Sequence, residues 1–342
     1  MDAANTRPSS SPSYLPHKHS GEKERRSMAT TSVFGKGLPV DVKSVKPNLM
    51  KVTQSLNKPI MVIAPTEAGT YPVIVFLHGF ELAAHDYEQL LRHVASHGFI
   101  AVAPQLYSVT CLGDDSWDIN MAKHITNWLA GEDGLQFVLE NTFKLDSVKP
   151  DLSRLALAGH SRGGHAAFAL ALGLGDPKIK LALKFSALIG VDPVAGVAPG
   201  SQCTPKILTF KPRSLDLGMP ALVLGTGKLQ EDGSESKCTP AGINHTAFYD
   251  ECIPPRYHFV AKDYGHMDML DDGVHSIVNW MSKLVCTCNK NGTKNLARQS
   301  MGGVMVAFLR AVLEDNDEDF KAILDNPGLA PIILNPVEYN LA

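Results

Sequence analysis

The chain has 342 residues, of which 44% are hydrophobic and 20% are charged, and its formal net charge is -3. This composition is typical of a globular protein with one large α/β domain or two smaller ones. The near-neutral net charge gives no indication of nucleic-acid binding. No run reaches the roughly 18 apolar residues of a membrane-spanning helix, and no apolar signal segment opens the chain, so we expect a protein that is soluble or at most peripheral to a membrane.

Residues 1–50 differ in composition from the rest. They are rich in Ser, Pro, Lys and Arg and have no apolar periodicity, which predicts a disordered leader. Two interpretations of this leader stay open, a solvated tail and an organellar targeting peptide. The Ser and Arg content favours targeting, and the acidic residues Asp2, Glu22 and Glu24 count against it. A single domain is predicted over residues 51–330, followed by a C-terminal tail over residues 331–342.

Short apolar runs rich in β-branched residues predict the strands, and several are continuous enough for a sheet that is covered on both faces. They lie at Pro59–Ala64, Tyr71–Leu77, Phe99–Ala103, Arg154–Ala158, Phe185–Val191, Pro220–Gly225 and Tyr257–Ala261. Stretches with helical spacing lie between and after them, at Asp86–His97, Ile119–Leu129, around Phe137 and Val138, and at His165–Leu172, Leu270–Leu284, Met301–Leu313 and Asp319–Leu324. Alternating strands and helices predict an α/β protein with a mainly parallel, doubly wound sheet flanked by helices.

The motif Gly159-His160-Ser161-Arg162-Gly163 joins a predicted strand to a predicted helix. A serine raised on so tight a turn has a strained backbone and needs small neighbours, which is the role predicted for the two glycines. Gly-x-Ser-x-Gly also arises by chance as an ordinary turn. In this strand–turn–helix context, however, it resembles the nucleophile elbow of α/β-hydrolases, and Ser161 is the predicted nucleophile.

A second motif, His78-Gly79-Phe80, directly follows the predicted strand Tyr71–Leu77. The backbone N–H of Phe80 and that of Arg162, the residue after the nucleophile, are the predicted donors of an oxyanion hole. Gly79 is predicted to permit the sharp turn that brings this loop over the site. The alternative is an ordinary β-turn glycine.

A serine hydroxyl needs a base of near-neutral pKa within hydrogen-bond distance, and 13 histidines compete for that role. His266 is the predicted base, because it follows the last predicted strand on a loop with a glycine and lies C-terminal to the serine, as the Ser, acid, His order of this fold requires. Two acids compete to orient its imidazole. Asp192, at the end of the strand Phe185–Val191, is favoured over Asp232, which stands in a Gly/Ser-rich loop.

Six cysteines are too few and too scattered for a disulfide framework, so reduced structural thiols are predicted. A bridge between Cys238 and Cys252, which flank a short loop, is the alternative. Cys286 and Cys288 form a C-x-C pair without a matching histidine pair, and no zinc site is predicted there.

Together these motifs resemble plant chlorophyllases. The resemblance rests on Phe76–Phe80, His93–Gly98, Ala103–Tyr107, Gly159–Gly164, Phe185–Val194 and Asp263–Asp272, and runs in one order from about Pro59 to Leu309. It implies an α/β-hydrolase fold, hydrolysis of the phytyl ester of chlorophyll to chlorophyllide and phytol, and a triad of Ser161, Asp192 and His266. It also implies that no metal or organic cofactor is needed, since the magnesium of the pigment belongs to the substrate. A chloroplast location follows from it, with cytosol and endomembrane as alternatives.

The sequence departs from the chlorophyllase pattern in two places. His165 stands where a lysine is expected, and the loop Lys228–Lys237 lacks a Gly-Pro segment, so both are expected to alter the rim of the pocket. A porphyrin with a C20 tail needs a wide apolar mouth, whose candidate residues are Leu82, Tyr107, Val109, Trp117 and Met267.

Several alternatives stay open from the sequence. The stretch Met301–Leu313 fits either a buried helix or a peripheral contact with a thylakoid surface. The second functional hypothesis is a general lipid or carboxylester hydrolase of the same fold. A catalytic triad predicts acyl transfer but does not identify the acyl group that is transferred. A binding protein that has lost catalysis is the third. The sequence does not predict the oligomeric state.

Overall fold

The computed structural model describes residues 33–46, 58–106, 113–228, 236–272, 286, 288–289 and 293–342. Its strands are β1 Val40–Val45, β2 Ile60–Pro65, β3 Gly69–Leu77, β4 Ile100–Pro104, β5 Val148–His160, β6 Ala187–Val191, β7 Gly196–Ala198, β8 Ser201–Gln202, β9 Ala221–Thr226, β10 Arg256–Ala261 and β11 Leu334–Asn340. Its α-helices are α1 Glu88–Ser96, α2 Ser116–Leu129, α3 Leu135–Val138, α4 Arg162–Ala171, α5 His245–Glu251, α6 Lys294–Leu313 and α7 Glu318–Asp325. Single 3₁₀ turns lie at Ala84–Tyr87 and Pro327–Leu329, and a π turn at Leu139–Phe143.

Nine of the described strands form one sheet, in the order β1-β2-β4-β3-β5-β6-β9-β10-β11. The six strands from β4 to β10 pair in parallel. The outer strands β1, β2 and β11 pair antiparallel, and β7 with β8 forms a separate small hairpin. The predicted α/β architecture with a mainly parallel, doubly wound sheet is confirmed. The predicted starts and ends of the strands agree with the observed ones to within two residues. The exception is β5, which begins six residues before its predicted start.

The two faces of the sheet bury two separate hydrophobic cores. Along β3, Ile74 and Phe76 point into one core while Val73, Val75 and Leu77 point into the other, because side chains alternate along a strand. Helices α1, α6 and α7 cover the first face, and α2, α4 and α5 cover the second. Each large side chain that is fully buried contributes about 1.5–3 kcal/mol of hydrophobic stabilisation.

The sheet reaches beyond the predicted bounds of the domain at both ends of the chain. Strand β1 lies within the predicted leader, and Val33 and Phe34 before it are buried in the core. Strand β11 lies within the predicted tail. The alternation of apolar and polar residues in Val40–Lys43 is a strand signal that the polar surroundings conceal. In β11, Pro336 argues against a strand except at a sheet edge, which is where β11 lies.

Helix α6 is long and apolar enough to cross a membrane by length and composition, yet 72% of its most apolar window is buried inside the protein. Its residues Met301 to Leu309 are in the core. A Cβ atom on Gly302 would lie 2.7 Å from Cδ2 of His93, and one on Gly303 would overlap the ring of Phe34. The structure therefore supports the interpretation of Met301–Leu309 as part of a buried helix.

A disulfide joins Cys238 to Cys286, across a sequence separation of 48 residues. The prediction of reduced thiols is wrong for this pair, and so is the alternative pairing, because Cys252 is buried and not in a disulfide. Sequence spacing could not reveal the pair, since only the fold brings the segment after β9 next to the segment before α6. Most of the predicted helix Leu270–Leu284 lies outside the described residues.

Candidate active site

Ser161 stands on a sharp turn between β5 and α4, with φ 56° and ψ -123°. A non-glycine residue rarely adopts such a backbone conformation, and its neighbours must be small. A Cβ on Gly159 would overlap the backbone of Gly163, and one on Gly163 would overlap the carbonyl oxygens of Leu77 and His78. These contacts are what the sequence predicts for the two glycines. The N-terminus of α4 lies behind the serine and favours negative charge there.

Three side chains from separate strand ends form a continuous chain of hydrogen bonds. His266 Nε2 lies 2.8 Å from Ser161 Oγ, and His266 Nδ1 lies 2.7 Å from Asp192 Oδ2. Ser161 is 9% exposed, His266 is 4% exposed and Asp192 is fully buried. The structure thus brings the predicted nucleophile, base and acid together. Asp232, the rival acid, lies outside the described residues.

Asp192 is held as a carboxylate by its neighbours. The hydroxyl of Thr226 donates to Oδ2 at 2.6 Å, and its backbone N–H donates to Oδ1 at 3.2 Å. Complete burial acts to raise the pKa of Asp192. The hydrogen bond from His266 and the positive charges of His266 and His245 outweigh it, and the pKa falls to about 2. A buried anion beside the imidazole stabilises the imidazolium that general-base catalysis generates.

The loop after β3 lies directly over the nucleophile. A Cβ on Gly79 would lie 3.0 Å from His160 Nδ1 and 3.2 Å from Ser161 Cβ, both closer than ordinary contacts. The sequence predicts that Gly79 permits a sharp turn, but the residue with positive φ in this turn is Glu81, at 57°. Gly79 is therefore required for close approach rather than for backbone conformation.

His78 anchors the same loop to the neighbouring strand. Its Nε2 accepts hydrogen bonds from the backbone N–H of Leu106 and the side-chain amide of Gln105, each at 2.9 Å, and its Nδ1 lies 2.9 Å from the oxygen of Gly79. Burial lowers the pKa of His78 to about 4, so the ring is neutral at neutral pH. These hydrogen bonds fix the loop to the segment that follows β4.

Arg162 enters a buried cluster of charges at the start of α2. Its Nε lies 2.6 Å from Asp115 Oδ1, and its Nη2 lies 3.1 Å from Asp118 Oδ2. His165 Nδ1 lies 2.6 Å from the other oxygen of Asp115. His165 is fully buried, so it does not lie at the pocket rim where the sequence places it. The guanidinium of Arg162 also lies 5.6 Å from the ring centre of Phe80, so the side chains of these two residues are neighbours.

Candidate mouth residues differ in exposure. Leu82 and Met267 are buried, and Trp117, at the start of α2, is 37% exposed. Tyr107 and Val109 lie outside the described residues, as does most of the loop Lys228–Lys237.

Sequence reasoning missed four residues that shape the site: Tyr87, Asp115, Asp118 and Thr226. Each reaches the site only through the fold. Thr226 carried a weak signal, because it directly follows the predicted strand Pro220–Gly225, at the edge where catalytic residues concentrate in such sheets.

The sheet order, the strained serine between strand and helix, and the hydrogen-bonded Ser, His and Asp side chains define the class: a hydrolase with the α/β-hydrolase fold.

A family model described as Chlorophyllase matches residues 29–341. A chlorophyllase type 0 from Chenopodium album is 41% identical over 316 residues, which cover 92% of this chain and 86% of that protein. Chlorophyllase-1, chloroplastic, from Citrus unshiu is 41% identical over 82% of this chain and 80% of its own. Chlorophyllase-2 from Arabidopsis thaliana is 42% identical over 80% of this chain and 84% of its own. The chain belongs to the chlorophyllase family.

Proposed function

We propose that this protein hydrolyses the phytyl ester of chlorophyll to chlorophyllide and phytol, with Ser161 as nucleophile, His266 as base and acid, and Asp192 as the orienting carboxylate. The observation that carries the proposal is the chain of two short hydrogen bonds from Ser161 through His266 to the buried Asp192. The family membership and the names of the relatives support the substrate.

The mechanism follows from the geometry of these groups. Ser161 Oγ attacks the propionate carbonyl carbon and its proton passes to His266 Nε2, while Nδ1–H remains hydrogen-bonded to Asp192. The N–H groups of Phe80 and Arg162 stabilise the oxyanion, and each such donor contributes about 3–4 kcal/mol to the transition state. Collapse of the intermediate breaks the ester bond, and His266 gives its proton to the phytol oxygen. Water, deprotonated by His266, then releases chlorophyllide and Ser161.

We propose a chloroplast location, on the strength of relatives that are named chloroplastic. A contact with the membrane would be peripheral and would not use α6, whose apolar residues are in the core.

The experiment compares the wild type with Ser161→Ala and with Ser153→Ala, an exposed serine near the middle of β5. Each protein is incubated with chlorophyll a in detergent, and chlorophyllide is separated by chromatography. We expect wild type and Ser153→Ala to release chlorophyllide, and Ser161→Ala to lose about 10⁶-fold in kcat with its melting temperature preserved.

Intact chlorophyll in the presence of wild type, together with hydrolysis of p-nitrophenyl esters, would overturn the substrate and leave a general carboxylester hydrolase. Unchanged turnover by Ser161→Ala would overturn the nucleophile.

A further inference from the structure

A buried chain of hydrogen bonds connects the loop over the nucleophile to the backbone of the proposed base. The N–H of Gly79 donates to Tyr87 Oη at 3.0 Å, Tyr87 Oη lies 2.7 Å from His160 Nδ1, and His160 Nε2 lies 3.1 Å from the carbonyl oxygen of His266. Tyr87 and His160 are both fully buried. The chain thus links four segments that meet around Ser161: the loop after β3, the turn before α1, the elbow and the loop after β10.

Donor and acceptor chemistry sets the direction of every bond in this chain. A backbone N–H can only donate and a carbonyl oxygen can only accept. Tyr87 Oη accepts from Gly79, and its own proton is donated to His160 Nδ1. His160 therefore carries its proton on Nε2 and donates it to the oxygen of His266. Burial, and next the positive charge of His266, lower the pKa of His160 well below its usual value, so His160 stays neutral when His266 takes up a proton.

The same residue also packs against the base. The ring centres of His160 and His266 are 4.5 Å apart, with 36° between their planes, and the rings of Tyr87 and His160 are 5.6 Å apart. Gly79 also approaches this ring closely, because a Cβ there would lie 3.0 Å from His160 Nδ1. The His266 ring is thus bounded by His160 on one face while its backbone is held by the His160 proton.

We propose that His160 and Tyr87 are positioning residues that hold His266 and the Gly79–Phe80 loop in one arrangement around Ser161. This inference rests on the proposed function of Ser161 and His266. The hydrogen bonds described above join the two residues to each other and to the backbone of Gly79 and His266. They act by keeping the base and the oxyanion donors at the distances that proton transfer and charge stabilisation need, where misplacement by about 1 Å costs up to about 100-fold in rate.

The test uses three substitutions in the full chain, with kcat and KM measured on chlorophyll a. Tyr87→Phe keeps the ring and removes the bridging hydroxyl. His160→Gln can still donate to the oxygen of His266 through its amide, whereas His160→Leu cannot. Tyr71→Phe is the control, because it removes another tyrosine hydroxyl that donates to a backbone oxygen, that of Glu67, at the far end of β3.

We expect Tyr87→Phe and His160→Leu to lower kcat by about 10- to 100-fold with KM changed less than about threefold, as misplaced catalytic groups do. His160→Gln should recover part of the loss, and Tyr71→Phe should match the wild type. A purely structural role would move the melting temperature without this split between kcat and KM and without the recovery by Gln.

Wild-type kcat in folded Tyr87→Phe and His160→Gln would overturn the positioning role, and these two variants decide the question if His160→Leu does not fold. Ser161→Ala is assayed alongside. An inactive Ser161→Ala beside a fully active Tyr87→Phe overturns only this inference, whereas an active Ser161→Ala overturns the proposed function and this inference with it.

Discussion

At the scale of single residues, the site depends on two strained backbones that face each other. Ser161 has φ 56° and Asp192 has φ 44°, and such conformations cost about 1–3 kcal/mol each in residues other than glycine. The N–H of Ser161 donates to the oxygen of Val191 at 3.1 Å, and that of Asp192 donates to the oxygen of Leu224 at 2.6 Å. Strand pairing therefore holds both residues in place, and the two strained turns place their side chains at the same edge of the sheet.

The hydroxyl of Thr226 supports the Asp192 carboxylate. Thr226→Val removes that hydrogen bond to a buried anion, which should raise the pKa of Asp192 and lower kcat by about tenfold, or about 1.4 kcal/mol of transition-state stabilisation. The measurement is the turnover of chlorophyll a. Thr126→Val is the matched control, since it removes a buried threonine hydroxyl that bonds the oxygen of Ala122 within α2, away from the site. Equal turnover of the two variants would contradict the role of Thr226.

Sequence could predict the three side chains of the triad, because each lies at most five residues after a recognisable strand. It could not predict what surrounds them. Thr226, Tyr87 and Asp115 are ordinary residues in sequence terms, and only the pairing of β6 with β9 or the packing of α1 and α2 brings them to the site. The role of Gly79 shows the same limit, since the crowding at this glycine comes from His160, which is 81 positions along the chain.

At the scale of elements, helix α6 is the centre of the core on one face of the sheet. It packs against α1 at Gly302 and against the segment before β1 at Gly303. The sequence showed the apolar character of this helix but not its partners. Strand β1 and the buried Val33 and Phe34 were missed because they lie within a stretch whose composition is that of a disordered leader.

Gly303→Ala should destabilise the protein by about 1–3 kcal/mol through overpacking, an effect opposed by about 1 kcal/mol of improved helix propensity. A Cβ there would overlap the ring of Phe34 and lie 2.9 Å from the oxygen of Val33. The measurement is urea unfolding of Gly303→Ala, Phe34→Leu and the double variant. Because Phe34→Leu makes room, the double variant should lose less than the sum of the two single losses.

Gly200→Ala is the control, because a Cβ there meets nothing within 4 Å. Strict additivity of the Gly303 and Phe34 variants would show that the segment before β1 does not pack on α6.

At the scale of the whole molecule, several histidines are neutral because they are buried or partly buried. Burial is the largest cause that lowers the pKa values of His78, His93 and His258 to about 4 each. In an unfolded chain a histidine titrates near pH 6.5. Between about pH 4 and 6.5 the unfolded chain thus binds more protons than the folded one, and protonation favours unfolding.

The contribution of these histidines to the free energy of unfolding should therefore be largest above about pH 6.5, and the free energy of unfolding should fall as the pH is lowered toward 4. Asp192, whose pKa is about 2, adds a further loss only below the unfolded value of about 3.8. Urea unfolding at a series of pH values measures this slope. His93→Gln should make the slope shallower, while His85→Gln, which changes a largely exposed histidine, should leave it unchanged. A free energy that is flat from pH 7 to 4.5 would contradict the prediction.

Strands β1 and β11 lie at opposite edges of the sheet, and this has a consequence for engineering. Eight strand spacings separate them, which is about 38 Å along the sheet at about 4.8 Å per spacing. Reporter domains fused beside β1 and beside β11 would therefore sit on opposite flanks of the protein. A circularly permuted version that connects these two strands directly would need a linker of at least about 11 extended residues, at about 3.4 Å per residue, and a shorter one would pull an edge strand out of the sheet.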